Sequence, residues 1–361
     1  MSGRPGHMAP PRQPSRLRVE VVASLAELER LRPAWMALWL HARGATPFQS
    51  PDWLVPWWRH IGEGELLTIA VLDEAEGRLV GLAPLYLYAP GSGERVVFPL
   101  GIATTDYLDA LTEPGWEAAM MPVVFGHLAK LDSRWDACEW PQLRPGSVLL
   151  QGAPPPGWTD ETVRGESCPV LPLPPRPEEL RGVVPPRMLQ NLRTARHRAD
   201  RQGELRWECA DERSLEEIFE ALLRLHRARW AARGEPGVLA SGAVQAAHRA
   251  SLPGLLRSGV LRLHALRLDG AIIAALYALA DRPGRGDRRV YFYLSGFDPD
   301  CAALSPGALI LGHAIEMAVR EGAVAFDFLR GQEAYKFRWG ARDTPTYCRR
   351  LRHGMGSGAR R

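Results

Sequence analysis

The residues best suited to catalysis stand close together near the C-terminal end of the sequence. Asp327, Tyr335 and Lys336 bring a carboxylate, a phenol and an ammonium into one short stretch. Each group can assist proton transfer when its surroundings adjust its pKa. Lysine occurs only at Lys130 and Lys336 in this arginine-rich chain, so Lys336 is predicted to point into a cleft and contact an anionic group. The alternative is a surface loop with ordinary ion pairs, such as Lys336 with Glu333.

A second candidate is the helix start at Ser305-Pro306-Gly307. Ser305 can cap a helix, Pro306 suits the first turn because it has no N–H to lose, and Gly307 keeps the entry unobstructed. The free backbone N–H groups and the positive end of such a helix suit a pyrophosphate. The alternative is that these residues do no more than start a helix.

Both candidates lie in a predicted βαβ unit. Residues 260–268 and 271–280 predict a hairpin across Asp269-Gly270, a strong turn signal. A strand at 289–297, a helix at 306–321 and a short strand at 324–329 then follow, which indicates a parallel crossover. The segment that begins at Asp327 therefore stands at the carboxyl end of a strand, where open α/β sheets bind ligands. The alternation of the strand at 289–297 puts these residues on opposite faces: Val290, Phe292 and Leu294 on one, Tyr291, Tyr293 and Ser295 on the other.

The first half of the chain repeats this mixture of strands and helices. Ser24 and Glu27 form a capping box before a helix that runs to about residue 41, and Ser50-Pro51 predicts another helix start. A proline- and glycine-rich stretch at 154–177 marks the boundary between two lobes. We predict an α/β (α+β) fold with mixed sheets flanked by helices and a cleft between the lobes. The predicted segments are a disordered N-terminus at 1–16, a first lobe at 17–165, a second lobe at 166–352 and a disordered tail at 353–361.

Composition narrows the class of protein. The chain has 361 residues and a formal charge of +4, so its bulk charge does not indicate a nucleic-acid-binding protein. Five scattered cysteines with no CxxC pair and no zinc-ligand spacing predict reduced thiols in the cytoplasm and no metal site. The start of the chain lacks the apolar core of a signal peptide. No uninterrupted apolar run reaches the ~20 residues of a membrane span, so we expect a cytoplasmic protein.

Several short motifs, taken in order, resemble one group of the GNAT superfamily, the CelD/BcsL-like acetyltransferases linked to cellulose biosynthesis. The resemblance covers about residues 17–351, and it extends to the FemABX peptidyltransferases, which have two GNAT lobes and a similar Phe-Lys or Tyr-Lys motif. The motifs are Phe48-Gln49-Ser50-Pro51-Asp52-Trp53, Asp106-Tyr107-Leu108-Asp109, Leu225-His226 with Arg229-Trp230, Ser295-Gly296-Phe297-Asp298, Leu304-Ser305-Pro306-Gly307, Phe326-Asp327-Phe328-Leu329-Arg330-Gly331, Tyr335-Lys336 and Trp339-Gly340.

This resemblance implies two tandem GNAT-like lobes and direct transfer of an acyl group from acetyl-CoA or another acyl-CoA to an amine. The pantetheine arm would lie between the strands at 289–297 and 324–329. Asp327 or Tyr335 would handle protons, and Lys336 would neutralise an anionic substrate or leaving group. The remaining implied site residues are Ser305, Pro306, Gly307, Ala308 and Leu309 for the pyrophosphate, Leu294, Ser295 and Gly296 for a backbone N–H that polarises the thioester carbonyl, and Gln49, Trp53, Asp106 and Tyr107 for the substrate cleft.

One departure from the superfamily keeps other functions open. The common Arg/Gln-x-x-Gly-x-Gly/Ala pyrophosphate loop is absent, and the short Ser-Pro-Gly stands in its place. FemABX-like proteins use aminoacyl-tRNA, and a basic helix at 186–201 offers phosphate contacts, although it also suits a solvated connector. The third possibility is a non-catalytic GNAT-derived protein of exopolysaccharide biosynthesis. The basic residues of that helix are Arg187, Arg193, Arg196, Arg198 and Arg201.

Overall fold

The computed structural model describes residues 16–91, 93–231 and 234–353. The predictions of disorder at both termini fall almost entirely on residues 1–15 and 354–361, which lie outside this range. The helices are α1 (Leu25–His41), α2 (Pro51–His60), α3 (Glu117–Ala129), α4 (Pro186–Asp200), α5 (Leu215–Ala231), α6 (Gly242–Arg257), α7 (Pro306–Arg320) and α8 (Ala334–Arg338). The strands are β1 (Leu17–Val22), β2 (Glu65–Leu66), β3 (Thr68–Asp73), β4 (Arg78–Ala83), β5 (Leu85–Tyr88), β6 (Val96–Pro99), β7 (Leu111–Thr112), β8 (Ala137–Leu143), β9 (Trp158–Arg164), β10 (Cys168–Pro172), β11 (Leu205–Cys209), β12 (Leu261–Leu268), β13 (Ala271–Ala280), β14 (Arg289–Phe297), β15 (Ala325–Asp327), β16 (Arg342–Thr344) and β17 (Tyr347–His353).

These strands form three sheets in two lobes. The first lobe holds a four-stranded sheet in the order β1-β3-β4-β7 and a six-stranded sheet in the order β2-β5-β6-β8-β17-β9. The second lobe holds a seven-stranded sheet in the order β11-β12-β13-β14-β15-β10-β16. Each lobe has one parallel pair, β6 with β8 and β14 with β15, among otherwise antiparallel neighbours. The predicted α/β class, with two lobes of mixed sheets and flanking helices, is confirmed.

Local sequence signals account for several element boundaries. The Ser24 side chain and Glu27 form the predicted capping box at the start of α1. The hairpin between β12 and β13 turns at Asp269 and Gly270, whose φ angles are 49° and 85°, as a two-residue hairpin loop with positive φ at both positions requires. Strands β4 and β5 are separate because Pro84 falls between them and lacks the N–H that a ladder needs.

The proline-rich junction contains structure that the sequence did not suggest. Strand β9 lies within it and pairs with β17, while β10 joins the sheet of the second lobe. Strand β17 also pairs with β8, so the last strand returns to the first lobe. His353, assigned to a disordered tail, ends that strand and packs edge-on against Trp135, with ring centroids 4.8 Å apart. The division of the chain between residues 165 and 166 otherwise stays a prediction.

A shared core joins the two lobes. Trp53 and Tyr107 of the first lobe belong to the same buried cluster as Tyr277 and Tyr291 of the second. Phe48 contributes a further contact, with its ring centroid 5.6 Å from that of Tyr291. Since aromatic side chains bury large areas and pack edge to face at these distances, the interface resembles a domain interior and fixes how the lobes face each other.

Candidate functional site

The site begins where two parallel strands separate. Strand β14 pairs with β15 from Arg289 to Tyr291, and its last partner is Asp327. Beyond this point β14 continues to Phe297 without pairing to β15. Its register with β13 passes from Leu294 directly to Phe292, which marks a β-bulge at Tyr293. The bulge explains why Leu294 packs on the same cluster as Tyr293, contrary to the predicted alternation.

Two cavities open on this separation. The first, which we call the interlobe cavity, has a volume of about 460 Å³ and is lined by both lobes. The second, the helix-end cavity, has a volume of about 520 Å³ and contains the start of α7. Five of the described residues line both cavities and form a common wall, namely Arg229, Phe292, Ser295, Glu333 and Tyr335.

The start of α7 forms one end of the helix-end cavity. Ser305 precedes the helix in the left-handed conformation, with φ 55° and ψ 47°, and its side chain makes no capping hydrogen bond. Ser305, Pro306, Gly307 and Ala308 all line the cavity, and their role in holding a pyrophosphate stays a prediction. Leu309 does not line it, because its side chain packs in the buried cluster of the second lobe and lines a different cavity.

Gly307 lies where α7 approaches β14 closely. A Cβ atom at this position would lie 3.0 Å from Cδ1 of Phe297, which is closer than most carbon contacts. A larger residue would therefore push against the ring and narrow the cavity.

The three residues predicted on β14 have different surroundings. Leu294 lines the interlobe cavity, and Ser295 lines both cavities. Gly296 lines neither, because α5 crosses directly over it. A Cβ atom on Gly296 would lie 2.4 Å from the backbone nitrogen of His226, so this glycine permits the helix to pack against the strand.

Lys336 is held by the loop that precedes it. Its ammonium donates to the carbonyl oxygens of Leu329, Arg330 and Gly331 and lies 2.9 Å from Oε2 of Glu333. The side chain is almost fully buried at the edge of the interlobe cavity. The predicted contact with an anionic substrate group is not favoured, because the ammonium already has more acceptors than it has N–H groups.

Asp327 lies behind the cavity wall. Its carboxylate accepts hydrogen bonds from the Tyr107 hydroxyl at 2.7 Å and from the Leu329 backbone N–H at 2.9 Å. Burial raises the pKa of Asp327 to about 6, although both hydrogen bonds act in the opposite direction. Leu329 has a φ of 55°, so Asp327 stabilises the strained turn that aims the next carbonyl groups at Lys336.

The residues predicted for the substrate cleft separate into two groups. Asp106 lines the interlobe cavity and forms an ion pair with Arg330. Gln49, Trp53 and Tyr107 are buried between the lobes and line neither cavity. The Gln49 amide donates to the Tyr107 carbonyl oxygen, and Trp53 Nε1 donates to Thr105 Oγ1 at 2.8 Å. The prediction that these three residues line the cleft is corrected: they join the lobes and shape the loop that carries Asp106.

Tyr335 is the predicted catalytic residue that lies best for chemistry. It belongs to the common wall of the two cavities. Burial raises the pKa of its phenol, so the group remains protonated at neutral pH and can donate a proton or a hydrogen bond.

Helix α5 contributes three residues that were not among the predicted site residues. His226, Arg229 and Trp230 all line the interlobe cavity, and their spacing of three and four residues puts them on one helix face. Burial and the nearby Arg229 lower the pKa of His226 to about 4, which keeps its imidazole neutral at pH 7. The spacing of these polar residues on a predicted helix was the signal available in the sequence.

The described residues contain neither a metal-binding cluster nor a membrane-spanning helix. No group of three or more His, Cys, Asp or Glu side chains in residues 16–91, 93–231 and 234–353 is arranged to hold a metal ion. Over the same ranges, no helix combines the length and apolar character needed to cross a bilayer.

Comparison with known proteins relates this geometry to a family of domains. Residues 186–337 match the family described as an acetyltransferase (GNAT) domain. This match covers the strands β14 and β15, helix α7 and most of the residues that line the two cavities. None of the curated proteins matches the chain.

The fold is shared with solved structures over most of the chain. FemX has a TM-score of 0.62 at 12% identity, covering 88% of this chain and 95% of that protein. The C-terminal domain of a protein from Agrobacterium fabrum, named as a lysylphosphatidylglycerol synthetase, has a TM-score of 0.53 at 15% identity, covering 90% and 92%. A conserved protein of unknown function from Bacteroides thetaiotaomicron has a TM-score of 0.56 at 10% identity, covering 93% and 100%. At these identities the solved structures show a shared fold, and the match to the acetyltransferase (GNAT) domain applies to residues 186–337.

Proposed function

We propose that this protein is an acyl-CoA-dependent N-acyltransferase that binds its donor in the helix-end cavity and its acceptor amine in the interlobe cavity. One observation carries the proposal: the two cavities meet at a common wall, at the point where β14 and β15 separate. A thioester placed at that wall would face the donor side and the acceptor side at once, as transfer between two substrates requires.

The donor side fits a CoA thioester. The start of α7 offers backbone N–H groups and the positive end of a fifteen-residue helix to a pyrophosphate. Gly307 leaves space there, because it has no side chain. Arg229 and Arg338 also line this cavity and add positive charge near the proposed phosphates.

The proposed reaction forms one bond and breaks one. The acceptor nitrogen attacks the thioester carbonyl carbon, a C–N bond forms, and the C–S bond breaks. The nitrogen loses a proton, and the departing CoA thiolate gains one. A bulge interrupts a strand ladder and leaves a residue unpaired, so we assign polarisation of the carbonyl oxygen to a backbone N–H at Tyr293–Ser295.

Proton handling is assigned to the common wall. Burial raises the pKa of the Tyr335 phenol, so a free phenolate is disfavoured, and we assign Tyr335 to a proton relay. Its O–H donates to the leaving thiolate while its oxygen accepts the proton that the nitrogen releases. His226, with a pKa of about 4, is a weak base at neutral pH, so we assign it to hydrogen bonding with the acceptor. Asp327 acts through the turn at Leu329 rather than by touching a substrate.

The acceptor cavity suits a polar amine. Asp106, Glu166 and Glu333 place carboxylates around it, and Trp230 and Tyr293 supply aromatic surface. An amine of a sugar, an amino acid or a polysaccharide precursor has the matching polarity. The motifs shared with the CelD/BcsL-like group favour exopolysaccharide assembly, and we propose a cytoplasmic enzyme of that kind.

A turnover assay tests the proposal. Acetyl-CoA is mixed with the protein and a panel of amino sugars and amino acids, and release of the free CoA thiol is followed. We expect at least one amine to accelerate release, and Tyr335→Phe to lower kcat at least ~100-fold, the scale of general acid–base catalysis. Thiol release that is independent of every amine and unchanged in Tyr335→Phe would contradict the proposal.

A second candidate is transfer from aminoacyl-tRNA. The observation that favours it is the position of α4, whose exposed Arg187 stands next to Met188 at the helix-end cavity. Arg193, Arg196, Arg198 and Arg201 extend the exposed charge along the same helix. This candidate predicts a tRNA gel shift that weakens steeply with salt, and no binding of acetyl-CoA.

A further inference from the structure

A third cavity lies on the side of α7 that faces α4. Its volume is about 450 Å³, similar to that of the interlobe cavity. Most of its wall is apolar, formed by Leu180, Val184, Leu189, Leu192, Leu309, Ile315, Trp207 and Trp339. Among the residues that the structure describes, it shares only Trp339 with the helix-end cavity and none with the interlobe cavity. A cavity of this size and lining can hold a small ligand.

Part of the wall is a stacked aromatic pair. The rings of Trp207 and His313 are 4.5 Å apart and nearly parallel, with an interplanar angle of 22°. Burial lowers the pKa of His313, so this imidazole is uncharged at neutral pH. His264 packs edge-on behind it, at 5.6 Å between ring centroids, and its buried Nδ1 has no hydrogen-bond partner among the described residues. The pair therefore presents a flat, neutral surface to an apolar group.

The rim carries positive charge that the fold does not neutralise. Arg181, Arg193 and Arg196 line the cavity, and within the described ranges none of the three forms an ion pair with a carboxylate. Arg193 reaches only the carbonyl oxygen of Leu189, at 3.4 Å. Glu316 also lines the cavity, but Arg320 holds its carboxylate at 2.6 Å. An anionic group at this rim would meet three guanidinium groups.

The chain's own terminal segments do not suit this cavity. Residues 1–15 contain Arg4 and Arg12, residues 354–361 contain Arg360 and Arg361, and neither segment contains an acidic side chain. Like charge disfavours both segments at an arginine-lined rim.

We propose that the α4–α7 cavity binds a small anionic amphiphile, a carboxylate carried on a medium-length aliphatic chain. The aliphatic chain lies against the leucines and the Trp207–His313 pair, and the carboxylate lies between Arg193 and Arg196. This site is separate from the proposed donor and acceptor cavities, so it does not depend on the acyltransferase proposal.

The test uses decanoate as the probe and isothermal calorimetry without CoA. The wild-type protein should bind one decanoate saturably, and the neutral analogue decanol should bind at least tenfold more weakly. The double variant Arg193→Glu/Arg196→Glu should lose at least tenfold in affinity. The control is Arg187→Glu/Arg201→Glu, which makes the same charge change on the same helix at exposed residues outside this cavity, and it should bind within about threefold of the wild type.

Several results would overturn the proposal. Non-saturable binding, equal binding of decanol, or equal loss in both double variants would each exclude a charge-specific site. Trp207→Ala gives a second measure, because it removes the stacked surface and should weaken decanoate binding. A dimer in analytical ultracentrifugation that dissociates in Arg193→Glu/Arg196→Glu, with no decanoate binding, would instead assign the cavity to contact between two copies of the chain.

Discussion

Replacement of Asp327 by asparagine distinguishes a positioning role from a catalytic one. Asparagine keeps the shape of the side chain and can still accept from the Leu329 N–H, but it cannot ionise. The carboxylate that it replaces is fully buried and has a pKa of about 6, against an ordinary value of 3.8. The difference of about two pKa units corresponds to about 3 kcal/mol between the protonated and ionised forms.

The sign of the pH dependence follows from that shift. A carboxyl group whose pKa is raised on folding favours the native state while it is protonated, and this contribution is lost as pH rises through about 6. From pH 5 to pH 8 the wild-type protein should therefore lose about 1.4 kcal/mol of unfolding free energy relative to Asp327→Asn. Urea unfolding of both proteins at pH 5, 6, 7 and 8 measures this difference directly.

Two further variants sharpen the test. Tyr107→Phe removes a hydrogen bond that lowers the pKa of Asp327, so the pKa should rise further and the loss of stability should extend to higher pH. Asp343→Asn removes an exposed carboxylate from β16 of the same lobe and controls for the change of net charge. If Asp327 is a positioning residue, Asp327→Asn should keep turnover within about tenfold. A folded Asp327→Asn variant that loses more than ~100-fold, the scale of a general base, and shows no change in pH dependence would refute this reasoning.

Two other predictions address the packing around the site. Lys336→Met and Lys336→Arg should each destabilise the loop at Leu329–Gly331 by about 2 kcal/mol or more. Hydrogen bonds to charged groups are strong, and a planar guanidinium cannot replace a compact ammonium. Equal stability of the wild type and the arginine variant in urea unfolding would instead support a simple ion pair with Glu333. Gly296→Ala should destabilise the second lobe by about 1–3 kcal/mol through overpacking against α5. The control Gly126→Ala should not destabilise the protein in this way, because nothing lies within 4 Å of the added carbon. A Gly296→Ala melting temperature equal to that of the wild type would contradict the prediction.

Local sequence patterns were sufficient to predict the elements of the βαβ unit. The Asp269-Gly270 turn, the Ser305-Pro306-Gly307 helix start and the alternation of β14 each depend on a few neighbouring residues, and the elements form where these signals stand. The alternation fails at Leu294 because the bulge at Tyr293 depends on pairing with β13. A single strand contains no information on its partner's register.

The parts that escaped prediction depend on contacts between distant segments. Strand β17 reads Tyr-Cys-Arg-Arg-Leu-Arg-His, and its membership of the first lobe rests on pairing with β8 and β9. Arg349 helps to hold β17 in the first lobe. Its buried guanidinium pairs with Asp160 at 2.7 Å and donates to the carbonyl oxygens of Leu149 and Gln151. Composition alone marks such an arginine as exposed.

Among the site residues, too, local signals determine some positions and contacts between distant segments determine others. Ser305, Gly307 and Tyr335 line the cavities because strand ends and helix starts determine their positions. Gln49, Trp53 and Tyr107 form a polar and aromatic set of the kind that lines ligand sites, yet their partners in the other lobe and in neighbouring loops bury them. Lys336 likewise points to carbonyl groups whose direction depends on the positive φ of Leu329.

Binding of an acyl-CoA donor at the start of α7 is measured by calorimetric titration of acetyl-CoA, with the wild-type protein beside Gly307→Glu, Gly307→Gln and Gly307→Ala. A carboxylate at the start of α7 would repel a pyrophosphate, and glutamine has nearly the same bulk without the charge. We expect saturable binding to the wild type and the greatest loss in Gly307→Glu, at least ~10-fold beyond Gly307→Gln, with Gly307→Ala the least affected. Absence of binding to the folded wild-type protein, or equal affinity of the glutamate and glutamine variants, would contradict it.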